Sequence, residues 1–262
     1  EVIVSGHASN AVEEAILILN RLAIILRAAR VAAGALMVEQ EEMRFQLDDK
    51  GNPIEIYFER PNESHHLIEE FMLLANRTVA KAVGGRPFVY RIHDIPDEEK
   101  LSELKAFKKR MGDRVQPQVI EMLTIRAMAK AVYSTFNIGH YGLAFSHYTH
   151  FTSPIRRYPD LMVHRLLDKY ILTGKGETLP REILQEMCDH CSVCEQEAQQ
   201  AERESNKMYQ AMWMADHVGE IMAGHISGVT DFGLFVQLDE SRCEGLVHIS
   251  TIGQGEYWQH DE

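Results

Sequence analysis

The chain has 262 residues, 45% of them hydrophobic and 25% charged, the balance of a globular protein able to bury a core. Its formal net charge of −12 argues against indiscriminate whole-surface binding to nucleic acid, although a local cluster of cations would still grip phosphate. Four cysteines are too few for a disulfide scaffold and point to a reducing cytoplasm, and no apolar run reaches the roughly 20 residues that span a bilayer.

The first residues carry no signal-peptide pattern and do not begin with Met, so an internal starting point is expected. Residues 11–34 read as a helix that stops near Gly34; its apolar length is interrupted by Asn20, Arg21, Arg27 and Arg30, which marks it as buried rather than membrane-spanning. MRFQL (43–47) and IEIYFE (54–59) alternate around the turn signal DDKGNP and predict a hairpin. Ser64 is the expected cap of a helix that ends at Gly84-Gly85, and FVYRI (88–92) is a short strand. Pro96-Asp97 opens a charged helix that closes at Gly112, and 117–136 reads as another helix. NIGHYGLAFSHYTHF is extended and aromatic-rich, 160–173 is helical, GKGETLP turns, and 180–217 is one long polar helix. From Val218 the pattern alternates, bends at Gly233 and passes through SRCEG into LVHIS, which gives three strands of a small β module. The expected class is α+β: a mixed helix and sheet body over 1–216, then a partial antiparallel β module over 217–262.

The stretch FTSPIRRYPDLMVHRLL (151–167) carries the clearest chemistry. Pro154 and Pro159 fix their own backbone and push Ser153 and Tyr158 toward extended conformations, so Arg156 and Arg157 sit in a stiff bridge at a helix entrance. A helix N-terminus welcomes an anion, and an arginine fork can hold a phosphate with two hydrogen bonds. Thr152 and Ser153 add hydroxyls; Tyr148, His150, Phe151 and Tyr158 add rings on which a base could stack. The plainer reading is that one arginine pairs with Asp160 and the other is solvated.

HYGLAFSHYTHFTSPIRRYPDLMVHRLL (140–167) closely resembles the signature of the ribonuclease II/ribonuclease R (RNB domain) family of 3′→5′ exoribonucleases, with the bacterial ribonuclease R branch nearest. LIEEFMLLANRTVAKAV, FVYRIHDIPDEEKL, IRAMAKAVYST and AERE follow in the family's order over roughly 15–216. The resemblance implies an enzyme that threads single-stranded RNA from its 3′ end, uses Mg²⁺-activated water and releases nucleoside 5′-monophosphates. It assigns Arg156 to the scissile phosphate, with Arg157 beside it where relatives can carry lysine. It assigns Glu69 to the sugar hydroxyls of the 3′-terminal nucleotide, and Glu202 of the AER motif to that nucleotide's surroundings. From their residues alone, Glu69 is a solvated acid in the first turn of a helix and Glu202 one more charge on a polar helix.

Several departures qualify the resemblance. The family's aspartate cluster for Mg²⁺, of the form D-x₅-D-x-D-D, is not found, so its ligands are expected upstream; Asp48-Asp49 belongs to the hairpin turn. The family's tyrosine clamp would also precede residue 1. Val38 stands where relatives often have an aromatic residue, the link QPQVIEML (116–123) is short, and LAIILRAARVAAG has fewer lysines than usual. GHISGVTDFGLFVQLDESRCEGLVHIS resembles the start of an S1-like RNA-binding OB-fold, which implies a stacking surface of Phe232, Phe235 and His248. Two phenylalanines on a strand are, taken alone, more often core.

CDHCSVC (188–194) holds the ligand types for zinc, but inside a helical pattern: Cys188 and Cys191 share a face while Cys194 lies further along and His190 points away. No metal ligand is therefore assigned within the chain. The leading expectation is part of an RNA-degrading hydrolase, inactive by itself. The alternatives are a non-catalytic RNA-binding or regulatory protein on the same scaffold, and a zinc-dependent structural protein.

Overall fold

The computed structural model describes residues 2–37, 41–96, 102, 106–107, 109–110, 128–173 and 179–252. Val38 and the 116–123 link lie outside them, as does most of the charged helix expected between Pro96 and Gly112. The chain divides into two compact units, one of 1–39 with 61–196 and the other of 40–60 with 197–262.

In the first unit a one-turn helix α1 (Val2–Ser5) precedes α2 (Ala11–Ala32), whose cap Asn10 accepts a hydrogen bond from the Glu13 amide at 3.0 Å. The helix α3 (Glu63–Ala82) is capped by Asn62 rather than Ser64. The reason is reciprocal bonding: Asn62 accepts from the Ser64 and His65 amides, and the His65 ring accepts from the Asn62 N–H. Between α2 and α3 runs a buried ion pair in which Glu70 Oε1 accepts from Arg30 Nε at 3.2 Å and Nη2 at 2.5 Å.

Strand β3 (Tyr90–Ile92) pairs antiparallel with β4 (Val132–Ser134), Arg91 facing Tyr133. The sequence pattern predicts helix over the β4 residues. They extend instead because their backbone groups find partners far along the chain: the Tyr133 amide donates to Ser192 Oγ at 3.0 Å and the Thr135 amide to Gln185 Oε1 at 2.8 Å. Both acceptors lie on the long helix α5 (Arg181–Ala215), preceded by α4 (Tyr158–Leu167) and its π-helical turn Asp168–Leu172. Arg91 reaches α5 as well, forking onto Glu195 at 2.6 and 3.1 Å. The core beneath is Ala80 and Val83 near the end of α3, Phe88, Val89, Tyr90, Tyr133, and Met162, Val163, Leu166, Leu184 and Cys188 from α4 and α5. Burial pushes the Cys188 thiol up to about 12, so it packs as a small apolar group.

The second unit contains the expected hairpin, β1 (Glu42–Leu47) against β2 (Pro53–Glu59). Asp48 stabilises its turn by accepting from the Lys50 and Asn52 amides at 2.9 and 2.8 Å. Phe45 packs on Tyr209 of α5, and the Arg242 guanidinium lies 4.2 Å over the Phe58 ring. The β module is an antiparallel sheet in the order β5 (Gly224–Thr230), β6 (Gly233–Leu238), β7 (Glu244–His248). At Gly233, φ is +156° and an added Cβ would run into the Val247 carbonyl oxygen, so the bend admits only glycine.

Candidate nucleic-acid interface

The double-proline segment is held from two helices. On α3, Asn76 is 2% exposed; its Nδ2 donates to the Tyr148 hydroxyl at 3.2 Å and its Oδ1 accepts from the Phe151 amide at 3.0 Å. On α4, His164 stacks on Phe151 with ring centroids 4.2 Å apart and hydrogen-bonds the Phe151 carbonyl at 2.9 Å. Asp160 is fully buried, and its Oδ1 accepts from the Ser153 amide at 2.8 Å and from Arg157 Nη2 at 2.9 Å. The Ser153 carbonyl in turn accepts from the Arg156 and Arg157 amides, which closes the bend. Arg157 is the residue before α4, extended at φ −127°, and Pro159 occupies the first helical turn.

The two arginines therefore differ. Arg157 is committed to Asp160, with 21% of its side chain exposed. Arg156 is exposed, beside a fully exposed Ile155, and its side chain makes no hydrogen bond or ion pair with any described residue. The plainer sequence reading describes this geometry, and the same geometry leaves one guanidinium available to an anion.

Glu69, Tyr148 and Arg157 come together in the lining of one cavity of about 480 Å³, with Ser64, His65 and Asn76. Glu69 is half exposed and receives Arg30 Nη2 at 3.2 Å. Tyr148 is 6% exposed, its ring edge-on to His140 and His150. It is a wall of the cavity, with most of its ring enclosed. His150 is likewise enclosed, bonded through Nδ1 to the Tyr133 hydroxyl at 2.9 Å. Burial, with the charges of Arg157 and Arg91, holds the His150 imidazole down at about 2; burial, with His93 and Arg91, holds His140 at about 3. Both rings are neutral at ordinary pH.

Glu202 is exposed on α5 within the second unit. In that unit His248 lies opposite Gly233 and Leu246 opposite Phe235, which puts Phe235 and His248 on one face of the sheet. Phe232, half exposed, sits at the turn into β6 with its ring 6.4 Å from that of Phe235, and its carbonyl accepts from the Ile249 amide. The three residues expected to form a stacking surface are neighbours.

Sequence reasoning missed Asn76, His164 and Glu70. For Asn76 and Glu70 the signal was present: each is a polar residue on the apolar stripe Leu67, Glu70, Leu73, Asn76, Ala80 of α3, where burial demands a partner. The CDHCSVC residues stay on one helix, Cys188 in the core and Cys194 near His190 at 3.6 Å, and among the described residues no group of three or more His, Cys, Asp or Glu can hold a metal.

An α+β body with an arginine-bearing bend at a helix entrance, joined to a small antiparallel sheet with clustered aromatics, matches two family descriptions: RNB domain over residues 2–173 and S1 RNA binding domain over 215–261. The chain belongs to the RNB domain family. Ribonuclease R of Thermotoga maritima is 40% identical over 272 residues, covering 92% of this chain and 38% of that protein. Ribonuclease R 1 of Lactococcus lactis is 40% identical over 283 residues, covering 96% and 34%. Among solved structures, Mycoplasma genitalium RNase R in complex with ribose methylated single-stranded RNA has a TM-score of 0.85 at 27% identity, over 95% of this chain and 44% of that one. The chain thus spans little more than a third of the length of these curated relatives.

Proposed function

We propose that this chain is part of a processive 3′→5′ exoribonuclease that hydrolyses RNA from single-stranded 3′ ends to nucleoside 5′-monophosphates, with residues 1–216 in the catalytic body and 217–262 in an S1-like RNA-binding module. The observation that carries the reading is the bend at 153–157, where Asp160 neutralises Arg157 and leaves Arg156 exposed at the entrance of α4. In this reading Arg156 binds the scissile phosphate and stabilises charge that builds on it during transfer. Glu69 contacts the terminal sugar; Glu202, in the other unit, keeps the catalytic role that the AER motif implies. Arg157, Ser153 and Tyr148 shape the bend and its cavity, while Phe232, Phe235 and His248 stack on bases arriving along the strand.

The family's Mg²⁺ does not fit the described residues, which offer no cluster of carboxylates for it, so no step is routed through the ion. Its ligands are taken to lie outside them. The reading also keeps the protein in the cytoplasm, supported by four free cysteines, two of them buried. Among the described residues no helix is long and apolar enough to cross a membrane.

The test uses 5′-labelled single-stranded RNA with this chain and its Arg156→Ala variant, with and without Mg²⁺, resolved by gel and by binding. The expected result is binding that weakens in the variant with little cleavage. RNA that binds with the same affinity to both proteins would remove Arg156 from the proposal. Binding by a longer version that carries the remainder of the protein but never cleaves would favour the non-catalytic RNA-binding alternative.

A further inference from the structure

A second concentration of cations lies apart from the cavity of Glu69 and Arg157. A cavity of about 270 Å³ is lined by Lys81, Arg86, His147 and Arg181, by the pair Gly84-Gly85, and by aromatic and polar neighbours, with no aspartate or glutamate in its lining. In a chain with 39 acidic and 27 basic residues, an acid-free wall bearing three permanent positive charges departs from what the composition supplies.

These charges come from different parts of the fold, so no single local rule explains them. Lys81 is in the last turn of α3, where the helix dipole favours a cation, but it makes no hydrogen bond or ion pair with a described residue. Arg86 follows the two glycines, whose φ values of +61° and +77° turn the chain back. Its Nη1 donates to the Tyr170 carbonyl at 2.7 Å and its guanidinium lies 5.4 Å over the Tyr170 ring, so it is held in place without an anionic partner. Arg181 is the first residue of α5, where the dipole disfavours a cation. Glu182, the acid of that turn, is not in the lining. Arg181 rests 5.2 Å over the Phe136 ring, and its charge reaches the Tyr90 phenol. A guanidinium and a helix N-terminus at one place both call for negative charge.

We propose that this cavity is a phosphate-binding subsite, in which Lys81, Arg86 and Arg181 together hold one phosphoryl group. Two of the three cations are steadied by aromatic rings and lose little freedom on binding, while Lys81 supplies a mobile point charge. The ligand is a phosphodiester of RNA or a free phosphate monoester such as a released nucleotide. Only the first source rests on the function proposed above. His147 opens the tract that continues through Tyr148 and Phe151 to Arg156, so a strand touching both places would follow one continuous segment of the protein.

Calorimetric titration of this chain with inorganic phosphate tests the subsite. The comparison is a Lys81→Gln/Arg181→Gln double variant and a control of equal charge, Lys50→Gln/Lys130→Gln. Binding to the wild type and the control, at least tenfold weaker in the double variant with an unchanged melting temperature, is the expected result. No binding to the wild type, or equal weakening in the control, overturns the proposal. A second arm measures affinity for a single-stranded RNA against salt concentration. A slope shallower by about 0.7 in the double variant, for the one phosphate no longer neutralised, assigns the ligand to the RNA strand. An unchanged slope with phosphate binding intact assigns it to a free phosphate monoester. If RNA fails to bind while phosphate still does, the exoribonuclease reading falls and the subsite stands.

Discussion

Replacing Asp160 by Asn tests whether the bend is held as described. The substitution keeps size and keeps an oxygen for the Ser153 amide, but it removes the negative charge that faces Arg157. Breaking a buried ion pair by removing one partner costs about 3–5 kcal/mol. Here Arg157 keeps partial access to water, at 21% exposure, which reduces that figure, and the Ser153 bond survives. Against this, Asp160 Oδ2 has no partner among the described residues, so an amide nitrogen at that position is a buried donor left unpaired, at about 1–3 kcal/mol. The net expectation is about 3 kcal/mol of destabilisation. With a slope of about 2 kcal/mol/M this is a fall of about 1.5 M in the urea midpoint, followed by far-UV circular dichroism. A double variant with Arg157→Gln should recover about 1–3 kcal/mol relative to the sum of the single changes. A midpoint that moves by less than about 0.3 M, or strict additivity in the double variant, refutes the account of the bend.

The pH dependence follows from the buried rings. His140 and His150 titrate at about 3 and about 2 in the folded chain against 6.5 when unfolded, so between those values the unfolded state binds more protons. Stability is fully present above about pH 6.5 and is lost as pH falls, by about 1.4 kcal/mol per unit for each ring; urea midpoints at pH 7.5, 6.5 and 5.5 should drop, and flat midpoints would sink the assignment. His140→Phe should roughly halve that slope. Gly233→Ala drives a methyl group into the Val247 carbonyl and should cost the β module on the order of 2 kcal/mol, read as a lowered melting temperature, whereas an unchanged melt would disprove the close approach. Phe232→Ala should weaken single-stranded RNA binding by about 1–3 kcal/mol without changing its salt dependence, because a stacking face and not a charge is removed; a changed salt slope contradicts this role.

The features legible in the sequence are those set by near neighbours. The hairpin over 42–59 follows from alternation around Asp48 and Gly51, and the Arg157–Asp160 pair from three-residue spacing at a helix start. Strand β4 reads as helix in the sequence because VYS sits in an apolar run whose period suits either form; Ser192 and Gln185, some 50 to 60 positions later, decide the outcome. Tyr148 reads as a stacking ring because its hydroxyl partner, Asn76, is 72 positions away. Asn62 displaces Ser64 as the cap through the returning bond of His65, an interaction that the four-residue pattern permits but does not require.

The enclosed histidines have a consequence for what an approaching anion meets. His140 and His150 contribute shape and hydrogen bonds without adding protons to the local charge until conditions are far more acidic than any cell. The positive charge of Arg156 and Arg157 is then a constant of the fold, set by groups that never lose it. The guanidinium charge at the bend does not depend on these two rings, and acid acts on the rings through the stability of the fold.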